Sequence, residues 1–69
     1  MKDRDKLMTI AQTYSFIKGE FSAYQLYKFI LEYNFKFHSD FTARSIGTYL
    51  SRSSKFRKIE GNPVKYYAV

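Results

Sequence analysis

The segment Phe21 to Ile30, FSAYQLYKFI, is echoed twenty residues later by Phe41 to Leu50, FTARSIGTYL. In each copy an aromatic residue precedes a hydroxyl residue able to cap a helix, and an apolar stripe at helical spacing follows. Ser22 and Gln25 make a Ser-x-x-Gln capping box, with Phe21 and Leu26 at the two positions of a hydrophobic staple. Thr42 caps the second copy, with Phe41 and Ile46 as its staple. The echo therefore predicts two helices, starting at Ala23 and Ala43, built by one device. It is not a solenoid unit, because it is shorter than such repeats and two copies are fewer than stacking needs.

Ahead of this pair, Leu7, Ile10, Ala11, Tyr14 and Ile17 recur at three- and four-residue steps, predicting a helix from Asp3 to Lys18 that Gly19 ends. Asp3 and Asp5 in its first turn and Lys18 in its last suit the helix dipole. Met8 and Phe16 fall off the stripe, where they either widen the core face or mark a partner surface. Glu20 and Phe21 leave room only for a very short extended link. In the second helix Ala23, Leu26, Ile30 and Tyr33 line the expected buried face, and Asn34, tolerant of the left-handed conformation, is the expected stop.

Residues 35–40, FKFHSD, form the next connection. In the third helix Ala43, Ile46, Tyr49, Leu50 and Ser53 cluster on one side, with Arg44, Thr48, Ser51, Arg52 and Lys55 opposite. Gly47 inside it costs about 1 kcal/mol relative to Ala, and its expected purpose is close approach, to the second helix in preference to a ligand backbone. The tail FRKIEGNPVKYYAV reads as two strands, Arg57–Glu60 and Val64–Val69, joined by Gly61-Asn62-Pro63 into a β-hairpin. Alternation groups Ile59 with Arg57, and Tyr67 with Lys65 and Val69, but leaves open which of Tyr66 and Tyr67 points inward.

A chain of 69 residues is one small domain, 1–69, that must fill its core efficiently. Seven Phe and seven Tyr supply the means, each able to bury about 150–250 Å². With no Cys there is no disulfide framework or thiolate metal site, and the single His38 excludes a paired-imidazole site. Gly19, Gly47 and Gly61 are too scattered for a phosphate-cradling loop, and no acid cluster accompanies Tyr66 or Tyr67 to support attack on a phosphodiester. The expectation is a non-enzyme without cofactor, metal or small-molecule substrate. No apolar run approaches the length of a membrane span or signal-peptide core, so a soluble cytoplasmic protein is expected.

The net charge of +6 and pI near 9.7 suit a polyanionic partner. Residues 1–35 hold five Lys or Arg against four acids, whereas residues 36–69 hold seven against Asp40 and Glu60. The second half is the cationic one.

The order helix, short link, helix, connection, helix, hairpin resembles the winged helix-turn-helix family from about Asp5 to Val69. The resemblance rests on the pair FSAYQL and FTARSI, the stripe ending in Tyr49 and Leu50, and the hairpin placed directly after the last helix. It implies an α+β fold of three helices followed by a C-terminal β-hairpin wing. It also implies double-stranded DNA as partner, with a recognition helix at about 43–53 in the major groove. The wing, 57–69 with its tip at Glu60 to Val64, would lie on the backbone or adjacent minor groove. A small transcriptional regulator of archaeal or viral type, working in a host cell if viral, would look like this. The connection after Asn34 is longer than the tight turn of the simplest helix-turn-helix proteins.

Duplex recognition needs cations for phosphates and polar side chains for base edges on one continuous surface. Arg44 and Arg52 are the candidates for bidentate contact with guanine, and Ser45 and Thr48 for bases or phosphates. Lys55, Arg57, Lys58 and Lys65 would hold the backbone. Lys36 and His38 are weaker candidates. A homodimer is expected to supply paired half-sites, with Met8, Phe16 and Tyr24 as contact residues. Three other readings stay open: solvated charges on an exposed helix face, stacking of unpaired bases on Tyr66, Tyr67, Phe35 and Phe37, and docking of the basic face on an acidic protein.

Overall fold

The computed structural model describes residues 3–38 and 40–69; Met1, Lys2 and Ser39, the last within the expected connection, lie outside the described residues. The first helix, α1, spans Asp3–Lys18 and buries Leu7, Ile10, Ala11 and Tyr14, the expected stripe. Gly19 ends it at φ 81°, a left-handed conformation that glycine adopts without steric cost. Ile17, expected on the stripe, is 66% exposed and borders an open groove between α1 and α2. Ser15 is buried instead. Its hydroxyl donates to the Gly19 carbonyl at 3.0 Å and accepts from the Ala68 N–H at 2.8 Å, fastening the end of α1 to the C-terminal strand.

The short link is itself a strand, β1, of two residues, Phe21–Ser22. The second helix, α2, is Ala23–Glu32 and the third, α3, is Ala43–Arg52, so both start where the echo puts them. Each start carries a reciprocal capping box. The Gln25 N–H donates to Ser22 Oγ at 3.2 Å and the Ser22 N–H donates to Gln25 Oε1 at 2.8 Å. Ser45 and Thr42 repeat the arrangement, at 3.2 Å and 2.9 Å. Beyond α2, Asn34 takes φ 52° as expected, and the Phe35 N–H returns to the Ile30 carbonyl while the Asn34 N–H returns to that of Leu31. That pair of bonds is a Schellman stop. Tyr33, expected on the buried face, is its C-cap and stands 64% exposed.

After α3 come β2, Phe56–Ile59, and β3, Lys65–Ala68. With β1 they make a three-stranded antiparallel sheet in the order β1-β3-β2, so the fold is α+β with three helices and one more strand than the hairpin read from the sequence. The strand β2 has the expected length but begins one residue earlier, at Phe56, and β3 is shorter than expected at both ends. Pairing of Phe56 with Ala68 and of Lys58 with Tyr66 puts these four on the face toward the helices. That settles the open register: Tyr66 is buried and Tyr67 points outward.

Phe21 lies at the centre of the core, fully buried, with the rings of Tyr14, Phe56 and Tyr66 at 5.4, 6.3 and 6.5 Å. Leu7, Leu26, Ile46 and Leu50 close around it from the three helices. Among the described residues no helix is long and apolar enough to cross a membrane.

Candidate nucleic-acid interface

An α-helix turns once per 3.6 residues and rises about 1.5 Å per residue. Arg44, Thr48 and Arg52 therefore form one ridge about 12 Å long on α3. All three are exposed, while Ile46 and Leu50 are buried on the side facing the core. The Thr48 hydroxyl donates to the Arg44 carbonyl at 3.1 Å, which uses its proton and leaves its lone pairs free to accept.

The ridge is oriented from both ends. At the start, Ser45 Oγ accepts from the Thr42 N–H and lies 3.0 Å from the Thr42 carbonyl, so this half-buried hydroxyl belongs to the cap and not to the outward surface. Further along, Tyr66 Oη donates to the Gly47 carbonyl at 3.4 Å and lies 3.1 Å from Ser51 Oγ. One phenol thus ties β3 to two positions of α3. Ser51, grouped with the cationic face in the sequence, is turned toward this contact.

The hairpin cations divide between two faces. Lys58 shares the helix-facing side with Tyr66, beyond the edge of the core, and its Nζ lies 3.5 Å from the Glu60 carboxylate. Arg57 pairs across the strands with Tyr67, and Ile59 with Lys65, so Arg57 and Lys65 project from the opposite face. Residues 60–64 form the loop joining the strands, where the hairpin tip was expected.

Lys55 stands in the turn between α3 and β2. Its N–H donates to Ser53 Oγ at 3.2 Å, and its carbonyl accepts from the Val69 N–H at 3.0 Å, extending the strand pairing by one bond. Beside it, Arg52, Lys55 and Arg4 line one groove of about 530 Å³ between α1 and this turn. Arg4 was no candidate in the sequence. It lies in the charged first turn of α1, and no periodicity links it to the end of α3.

Lys36 and His38 belong to a different groove, with Asp3, Lys6 and Phe37. There the His38 N–H donates to Asp3 Oδ1 at 3.0 Å, Lys6 Nζ donates to the Lys36 carbonyl, and Lys6 Nζ sits 5.1 Å from the centre of the Phe37 ring. These contacts join α1 to the connection.

Of the aromatics able to stack bases, Tyr66 is buried, and Phe35 and Phe37 are half-buried against Phe29 and Phe41 at 5.8 and 4.9 Å. Only Tyr67 among these four is exposed. Of the expected contact residues for a second copy, Met8 lines the Arg4 groove, whereas Phe16 is 93% exposed. Tyr24 borders a third groove with Ile17, Lys18, Lys28, Glu32 and Tyr33.

Comparison with known proteins finds no matching family model, no matching curated protein and no matching solved structure.

Proposed function

We propose that this chain is a winged helix-turn-helix protein that binds duplex DNA as a small, non-catalytic cytoplasmic transcriptional regulator. The observation that carries this reading is the ridge Arg44, Thr48, Arg52. It offers two guanidiniums and an accepting hydroxyl in line, on a helix whose outer diameter of about 10–12 Å suits a major groove about 12 Å wide. The element order and the β1-β3-β2 sheet support the wing, with the 60–64 loop at its tip. Lys58 on one face and Arg57 and Lys65 on the other let that hairpin meet phosphates from either side.

The test is a titration of duplexes selected from a random pool, followed by fluorescence anisotropy at several salt concentrations. Arg52→Ala is expected to lower the slope of log affinity against log salt by about one. An unchanged slope and affinity would remove α3 as the interface.

Pairing with a second copy belongs to the same proposal, because so small a reader covers few base pairs. The exposed Phe16 supports it, as does the Tyr24 groove, whose rim of Lys18, Lys28 and Glu32 can complement itself across a two-fold axis. Light scattering of the protein on a two-half-site duplex is expected to give a 2:1 complex. A 1:1 complex at saturating protein would dismiss the pairing.

A further inference from the structure

Arg4, Arg52 and Lys55 come from the first turn of α1, the last turn of α3 and the turn before β2, yet they line one groove. The other lining residues are Asp5, Met8, Thr9, Gln12, Ser53 and Ser54. Three cations thus face the single carboxylate of Asp5, and none of the three has a carboxylate within ion-pair distance among the described residues. Two of the hydroxyls are already engaged: Thr9 Oγ1 donates to the Asp5 carbonyl at 3.0 Å, and Ser53 Oγ accepts from the Lys55 N–H at 3.2 Å. Three like charges beside a single counter-charge leave a net repulsion, and an anion in the groove relieves it.

The anion's class follows from the donors. Two guanidiniums and one ammonium offer many N–H donors and no acceptor, the match for the oxygens of a phosphate group. The groove is too polar for an apolar ligand. It also adjoins the end of the α3 ridge, since Arg52 belongs to both.

We infer that this groove seats a backbone phosphate of the bound duplex, held by Arg4, Arg52 and Lys55, so that Arg44 is left to read bases while Arg52 anchors the backbone. The inference rests on the DNA reading above. It adds a contact from α1 that neither the helix nor the hairpin supplies.

The experiment uses Arg4→Ala, Arg4→Lys and Asp5→Asn in the full chain, with thermal melts to establish folding. Both positions are exposed, so the three variants are expected to fold. In duplex titrations Arg4→Ala is expected to lower the salt slope by about 0.9 and to weaken selected and scrambled duplexes by the same factor. Arg4→Lys is expected to restore most of the slope, and Asp5→Asn to tighten binding to both duplexes. An Arg4→Ala variant with unchanged slope and affinity overturns the inference while leaving the ridge intact.

A second arm titrates inorganic phosphate into the isotope-labelled protein and follows Arg4, Arg52 and Lys55 by NMR. Saturable shifts at these three, lost in Arg4→Ala, are expected. No shifts would overturn the groove as a phosphate site, even if the duplex binds elsewhere. Shifts together with a salt slope that Arg4→Ala does not move would overturn the backbone assignment and leave free phosphate as the ligand. A wild-type chain that binds no duplex but shows these shifts would end the DNA reading and, with it, the backbone assignment.

Discussion

Helices α2 and α3 are the same ten-residue scaffold with different outer surfaces. Each starts after a reciprocal capping box and buries two matched aliphatics, Leu26 and Ile30 in one, Ile46 and Leu50 in the other. Twenty residues apart throughout, the outward ridge Tyr24, Lys28, Glu32 on α2 corresponds to Arg44, Thr48, Arg52 on α3. The first ridge balances one cation against one anion beside an aromatic ring, and the second carries two cations and no acid. The shared positions build the domain, and the ridge positions distinguish the two helices. Gln25 and Ser45, which differ in type, belong with the shared set because both complete a cap.

The equivalence of the inner faces is open to the largest test. Leu26 and Ile46 are both fully buried against the same core. Leu26→Ala and Ile46→Ala are each expected to cost about 2–5 kcal/mol in denaturant unfolding. A small loss at one site and a large loss at the other would mean that the matched starts conceal unequal roles in the core.

The outer faces should then separate the helices. Arg44→Ala is expected to relax sequence preference by about 1–3 kcal/mol at one position of the selected duplex, read by competition between matched and singly substituted sites. Its counterpart Tyr24→Ala is expected to leave that preference unchanged, since α2 carries no ridge for bases. Equal effects of the two would break the comparison. Ser45→Ala sharpens it further: loss of a cap partner is expected to lower stability by about 0.5–2 kcal/mol without changing preference in the folded protein.

What was legible in the sequence is chemistry that acts over three to five residues. The caps at Ser22 and Thr42, the left-handed stop at Asn34, the Gly19 terminus and the hairpin loop all follow from neighbours along the chain. The rest required partners far away. A strand as short as Phe21–Ser22 has no period to read and exists because β3 runs beside it. Phe56 turns inward because it pairs with Ala68, a register that alternation alone does not set. Ile17 and Tyr33 have the right spacing for burial, but Ile17 borders an open groove between α1 and α2 and Tyr33 is the cap that ends α2. A Thr at a cap position does not by itself show that Ser45 answers it, and that reciprocal bond is what takes the Ser45 hydroxyl out of the outward surface. Arg4 joins Arg52 and Lys55 only once α1 has packed against the sheet.

Gly47 carries the smallest and least ambiguous difference between the helices, for its counterpart on α2 is the half-buried Tyr27. The expected reason for a glycine was close approach, and Gly47 does face α2 and the Tyr66 hydroxyl. A Cβ built there would lie 3.5 Å from Ala23 Cβ and 3.5 Å from Tyr66 Oη, ordinary van der Waals contact. The packing therefore leaves room for a methyl group, while the helix still bears the conformational cost of glycine. Gly47→Ala is expected to stabilise the protein by up to about 1 kcal/mol, raising Tm by roughly 4–8 °C in a domain of this size. Duplex affinity should not change, because the new methyl would point at Ala23 and Tyr66 and not along the Arg44–Arg52 ridge. A lowered Tm would mean that the Tyr66 bond to the Gly47 carbonyl, at 3.4 Å, tolerates no displacement. Weakened DNA binding with raised Tm would instead place Gly47 against the ligand, giving α3 a second working face that α2 lacks.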